Sequence, residues 1–317
     1  MNKNPFSIYD FLGYLFPGLV ALMAVTYVAF SLEQSVNKLF SITNFKDVFT
    51  NEVSISEWQS TVVIIILSYI AGHIVAYLSS VVVEKFSNRL FKYPSLYLIH
   101  ATDDALALPK PFFARSMDDL SRLLHRYFRL RDNWGMKNWG SFLWRVVIGF
   151  VLLPISVPMI VGIIFSINRF IARPLDEYVR NSIVDKLNRL AERLKITLPD
   201  VNSEDDFHRI VMHYVYLNIP NCQRKVDNYV AMYGFLRAMT LIACLLFDYL
   251  FFDYLFFIGN AIFVESQTLV FDSATFLKFI FLIVVCNLLF LGFVKYYRRF
   301  TLENFMALLS KLPKLAY

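Results

Sequence analysis

Cysteine is scarce in this chain: only Cys222, Cys244 and Cys286 occur among 317 residues, and no two form a CxxC pair. That pattern excludes a disulfide framework and a zinc knuckle. Charge is scarce too, since Asp, Glu, Lys and Arg make up 18% of the residues, against roughly 25% in a soluble globular protein. The five histidines do not form HExxH, and His208 and His213 stand too far out of helical phase to share one metal. A Walker loop, a GxSxG elbow and a paired-carboxylate arrangement are missing as well. The residues therefore point away from an enzyme, and no cofactor or metal is expected.

What is there is apolar surface. The chain is 57% hydrophobic with 32 phenylalanines, and its mean hydropathy is +0.50. Five apolar runs stand out, at residues 11–30, 61–83, 142–167, 236–263 and 276–294. About 20 such residues suffice for a helix to cross the hydrocarbon core of a bilayer. Residues 2–10 are poorly basic and no small-residue cleavage site follows, so the first run is expected as a retained helix and not a signal peptide. The fold class expected is all-α: a polytopic integral membrane protein.

The central run decides the topology. Residues 146–168 carry no charge, yet Pro154 and Pro158 lie in the middle. Each proline removes a backbone donor and frees a carbonyl one turn back. Lysine and arginine are retained on the cytoplasmic side of a membrane. Residues 84–141 and 169–232 hold ten of them each, while residues 264–275 hold none. Both rich segments fall on the same side only if the central run dips in and returns. The expectation is thus four transmembrane helices plus one re-entrant or kinked segment, with both termini cytoplasmic in a cell inner membrane. The domains are then a hairpin at 1–83, a cytoplasmic insertion at 84–141 and the re-entrant segment at 142–168. A second insertion at 169–232, a second hairpin at 233–295 and a basic tail at 296–317 complete the chain.

The cytoplasmic segments read as helical. Tyr93-Pro94 should break the continuation of the second span. A helix opening at Ser116 places Leu120, Leu123, Leu124, Tyr127 and Phe128 on one face. Its other side carries Arg122, Arg126 and Arg129, with Arg131 following. This basic face suits anionic lipid headgroups, with nucleotide or nucleic acid a less favoured ligand. After Pro174 a stripe of Leu175, Tyr178, Val179, Leu187, Leu190, Ala191 and Leu194 predicts a helix to about Lys195. Ser203 opens another with Phe207, Ile210, Val211 and Tyr214 on its apolar side. The tail 295–315 could lie on the inner surface as an amphipathic helix.

Four of the ionisable residues within the apolar runs stand out as candidates. Asp248 and Asp253, inside an exact duplication of Phe-Asp-Tyr-Leu-Phe, are candidates for a proton or cation relay because a charge at membrane depth is costly. The plainer reading leaves them at the outer interface. Lys278 could pair with either. His73, mid-span beside Gly72, is expected to hydrogen-bond across helices.

The entry to the first span, Asp10-Phe11-Leu12-Gly13-Tyr14-Leu15-Phe16-Pro17-Gly18, resembles that of poorly characterised bacterial multi-pass inner-membrane proteins. Lys92-Tyr93-Pro94-Ser95 and residues 228–237 are similar to segments in the same group. Some members are thought to act in anti-phage defence. The resemblance and the large cytoplasmic helices lead to the expectation of a membrane component that couples a cytoplasmic protein partner or ligand to a membrane response. A defence effector or sensor, acting as a homo-oligomer, is its concrete form. The alternatives are a transporter or ion channel built on Pro154/Pro158 and Asp248/Asp253, and a membrane scaffold for a soluble enzyme.

Overall fold

The computed structural model describes residues 10–40, 57–99, 121, 127, 139–164, 175–196, 207–219, 222–263 and 273–311. Among these the secondary structure is helical throughout. We number the helices α1 (Phe16–Phe40), α2 (Glu57–Ser79), α3 (Lys85–Phe91), α4 (Pro94–Ile99), α5 (Trp139–Val151), α6 (Leu153–Ile164), α7 (Glu177–Leu194), α8 (His208–Asn218), α9 (Gln223–Phe263) and α10 (Ser273–Lys311). Two π-helical turns, Phe11–Leu15 and Ser80–Glu84, precede α1 and follow α2. Four helices are long and apolar enough to cross a membrane, and a fifth element, α5 with α6, is apolar enough but bent by 89°.

The first hairpin is fixed by its backbone. Pro17 has no N–H to give the Gly13 carbonyl, as an α-helix would require. The chain answers with a π turn, in which the Phe16 N–H reaches back to the Phe11 carbonyl. Beyond it the first two spans touch main chain to main chain. A Cβ on Gly18 would sit 1.7 Å from the Ser68 carbonyl oxygen, and one on Gly72 would sit 1.9 Å from that of Tyr14. Small residues at a crossing allow this approach, which in lipid supplies the packing that drives helix association. His73 is seated beside it, stacked on Tyr14 at 4.0 Å with Tyr69 edge-on at 4.6 Å. Its neighbours there are aromatic rings.

The second span runs without a stop through its π turn into α3. It ends at Lys92, whose φ of 66° is rare for a side chain with a Cβ and costs about 1–3 kcal/mol. Pro94 then starts α4, and the Tyr93 carbonyl accepts from the N–H groups of Leu96 (2.9 Å) and Tyr97 (3.2 Å). The break expected at Tyr93-Pro94 is where the helix turns. All six residues of α4 are buried.

The two longest helices form the frame. At 41 and 39 residues, α9 and α10 are each about 60 Å long, roughly twice the thickness of a hydrocarbon core. They run antiparallel, since the contacts Lys225–Glu303, Tyr229–Tyr296, Tyr233–Phe293 and Phe247–Phe279 step in opposite directions along them. The tail thus does not form a separate surface helix over its described part. Lysines and arginines after Val294 do not interrupt the hydrogen-bonding pattern, and Phe300, Thr301, Asn304, Phe305 and Leu308 are buried in the same continuous rod.

Helices α7 and α8 pack on the projecting end of α10. The α7 helix ends in a left-handed Lys195 with the Ile196 N–H bonded to the Ala191 carbonyl at 3.0 Å, a Schellman-type stop. Its buried face is Ile183, Lys186, Leu187, Leu190 and Ala191. Leu187, Leu190 and Ala191 of the expected stripe are thus buried and Leu175 and Val179 pack against the core, whereas Tyr178 and Leu194 are exposed. Tyr178 is nine residues, half a turn out of phase, from Leu187, and Leu194 is the last residue of the helix. In α8 the buried residues are Phe207, His208, Val211 and Val215, with Ile210 exposed.

The basic residues Arg122, Arg126, Arg129 and Arg131, the expected helix start at Ser116 and the start near Ser203 lie outside the described residues. Ala172 also lies outside the described residues, and Trp58, the second residue of α2, is exposed.

Replacing Gly18 or Gly72 with alanine is expected to force the first hairpin apart. The overpacking cost is about 1–3 kcal/mol per site, to be read as a lowered thermal midpoint of the full-length protein in mild detergent.

Candidate functional site at the helix elbow

The elbow between α5 and α6 is built by its prolines. Pro158 sits inside α6 and cannot donate to the Pro154 carbonyl, which an uninterrupted helix would satisfy. That carbonyl accepts instead from the side chain of Asn287 on α10, Nδ2 to O at 2.8 Å. The same amide also donates to the Ile283 carbonyl of its own helix at 2.7 Å. Just before, the helical ladder is redirected: the Ile155 and Ser156 N–H groups both point to the Leu152 carbonyl. The Ser156 hydroxyl lies 2.8 Å from the Gly149 carbonyl oxygen and 2.7 Å from that of Leu152. Non-helical backbone persists at membrane depth only when protein or a watery cavity satisfies it. Here an asparagine and a serine do so.

Asn287 lies near the middle of the apolar run 276–294, so the elbow is held at the centre of the last span. The antiparallel register carries that level across to α9. Cys286, next to Asn287, is within hydrogen-bonding reach of Cys244, and both thiols are buried. Asp248 stands one turn from Cys244 on the same side of α9 and is close enough to act on it. One turn further on, Phe252 meets Phe150 at the end of α5, ring centroids 5.6 Å apart. Asp248 is half-buried on this face, whereas Asp253 is exposed.

The two aspartates therefore occupy different places. Asp253 is level with the start of the α10 apolar run, and Asp248 lies five residues, about 7.5 Å, deeper. Lys278 is exposed, and among the described residues no ion pair joins it to either aspartate.

Two more polar clusters tie these helices to their neighbours. Arg237 on α9 pairs with Glu84 at the π turn after α2. Its Nε donates to the Ser79 hydroxyl at 3.2 Å and its Nη2 to the Ala76 carbonyl at 3.4 Å. Its guanidinium also lies over the Tyr233 ring, 5.8 Å from the centroid. A π turn inserts one residue and re-aims the side chains beyond it, which presents Glu84 to α9. On α5, Arg145 is buried and donates to the Tyr127 carbonyl at 3.3 Å, while the Tyr127 hydroxyl donates to the Arg145 carbonyl at 2.7 Å. Burial pushes the Tyr127 phenol up to about 12, against the opposing pull of Arg89 and Arg145. It stays a neutral donor at any ordinary pH.

Sequence reasoning singled out Pro154, Pro158 and Asp248 and joined them in its channel or transporter alternative. It missed Asn287, Ser156, Arg237 and Glu84. The available signals were a lone asparagine within a 19-residue apolar run and an arginine just inside the start of another.

No known family model, curated protein or solved structure matches the chain. The site is therefore interpreted on its own geometry. Among the described residues no group of three or more His, Cys, Asp or Glu is placed to hold a metal ion.

Replacing Asn287 with alanine should leave the Pro154 carbonyl without its donor, at about 1–3 kcal/mol. The expected result is faster hydrogen exchange across residues 150–158 in detergent or nanodiscs, with α9 unchanged. Equal exchange in both proteins would show that the clamp contributes nothing.

Proposed function

We propose that this chain is an inner-membrane component that couples an event at its cytoplasmic helices to a response of the broken membrane segment. An anti-phage defence effector or sensor that alters membrane permeability is the concrete form. One observation carries the reading: a single unbroken helix, α10, holds both ends of the connection. Asn287 clamps the elbow, and 17 residues on, about 25 Å along the axis, Asn304 donates to His208 of α8 at 3.2 Å.

Between those points the side chains are in continuous ring contact. Phe290, Phe293, Tyr297, Tyr233, Phe300 and His208 follow one another at centroid distances of 5.0–6.1 Å. Packed aromatic contacts of this kind shift between discrete arrangements and do not deform smoothly. A partner or ligand that repositioned α7 and α8 would thus bear on the elbow through α10. Homo-oligomerisation and a cytoplasmic protein partner belong to this reading, as does contact of the basic segments with anionic headgroups. The placement of Asp248 beside the elbow favours a second reading, an ion channel or transporter in its own right.

Overproducing the full-length protein in bacteria should depolarise the cells, measured with a potential-sensitive dye. Asn304→Leu should insert normally and depolarise far less, because it severs the link to α8. Cells that keep their potential while making the inserted wild-type protein would refute the coupling reading. The topology is checked separately with single cysteines at Gly140 and Ala172 in intact cells. Neither should react with an impermeant thiol reagent applied from outside; reaction of one alone would refute the re-entrant arrangement.

A further inference from the structure

A membrane response requires a species that moves, and the polar groups near the elbow identify one; this inference rests on the coupling reading above. Asn287 on α10 holds the Pro154 carbonyl of α6, and its neighbour Cys286 meets Cys244 on α9. Asp248 lies one turn along α9 from Cys244, toward the start of the α10 apolar run. Asp248 is the ionisable carboxylate among them. It is half-buried, on the helix face that meets the end of α5 through Phe252 and Phe150.

Among the described residues no charged group is paired with this carboxylate. On α9, Asp253 is exposed, and Arg237 is held by Glu84 at the π turn after α2. On α10, Lys278 is exposed and Cys286 faces Cys244. Helix α5 brings one charged residue, Arg145, which is engaged with Tyr127, and α6 brings none. Against the start of α9, the first hairpin offers His73, which is stacked on Tyr14.

We propose that Asp248 is a proton-binding group, taking up and giving back a proton as the elbow moves. A single carboxylate with the Cys244 thiol one turn away is a poor cage for a divalent ion, which takes six or more oxygens. One carboxylate is enough for a proton. In uptake, an O–H bond forms between the carboxylate and a hydronium ion, leaving water. In release, that bond breaks and the proton passes to water on the other side of the membrane. A charge at membrane depth is costly. Motion at the elbow that admitted water would favour ionisation.

The test uses the full-length protein in vesicles of phosphatidylcholine and phosphatidylglycerol. Dicyclohexylcarbodiimide, an apolar reagent selective for protonated carboxyls, is applied at about pH 6 and about pH 9, on either side of the range expected for a desolvated carboxyl. Mass spectrometry should find the adduct on Asp248 at the lower pH and several-fold less at the higher one, with Asp253 unlabelled. Asp248→Asn should abolish the adduct while leaving the yield of inserted protein unchanged. No adduct on Asp248, or equal labelling at both pH values, would overturn the proposal.

Flux supplies the second arm. With a potassium diffusion potential, vesicles holding the Asn287→Ala protein should acidify inside, and adding Asp248→Asn should reduce the rate about tenfold. An unchanged rate in the double variant would overturn the proposal. So would a potassium current without acidification, although that result would leave the coupling reading standing. Asp248 labelling together with an undiminished potential in overproducing cells would refute the coupling reading alone.

Discussion

A carbonyl oxygen in an apolar medium must find a donor, and the architecture around the elbow follows from that requirement. Pro158 deprives the Pro154 oxygen of its helical partner, and Asn287 supplies the replacement from another helix. Leaving a buried acceptor unmade costs about 1–3 kcal/mol, a large share of the few kcal/mol that separate folded from unfolded states. The proline-broken segment is therefore tied to α10 by a specific bond in addition to packing.

The same requirement recurs at the edges of the membrane-spanning elements. Pro17 leaves the Gly13 carbonyl without its α-helical donor, and a π turn takes up the change at the head of the first hairpin. A second π turn presents Glu84 to Arg237 and joins the second span to α9. Truncating one partner of such a partly buried pair leaves a charge uncompensated, so this clasp gives the α2–α9 contact a defined register. Main-chain contact through Gly18 and Gly72 does the same between the first two spans without any charge.

Much of this was visible in the residues and some was not. The apolar runs, the Tyr93-Pro94 break and the uninterrupted passage from residue 223 into the fourth span could be read from composition, period and proline chemistry. Most of the face buried on α7, Leu187, Leu190 and Ala191, could be read as well, but its limits could not. Leu194 matches the helical period as well as Ile183 does, and only the positions of α4 and α10 decide between them. The continuation of the last span past Lys295 was hidden for a similar reason. Lysine and arginine usually mark where the apolar zone ends, but they do not end a helix whose next turns, Phe300 to Leu308, are covered by α7 and α8.

By itself the sequence determined that the chain is helical, that four segments can each cross a bilayer, and where backbone donors would be missing. Those properties depend on local chemistry: side-chain period, run length and the absent N–H of proline. Only the tertiary structure decided which group meets each freed carbonyl, that Asp248 and Asp253 stand at different depths, and that Asn287 and Asn304 share one rod. Those facts depend on the register between helices far apart in the chain, and register is set by packing that no single stretch of residues contains.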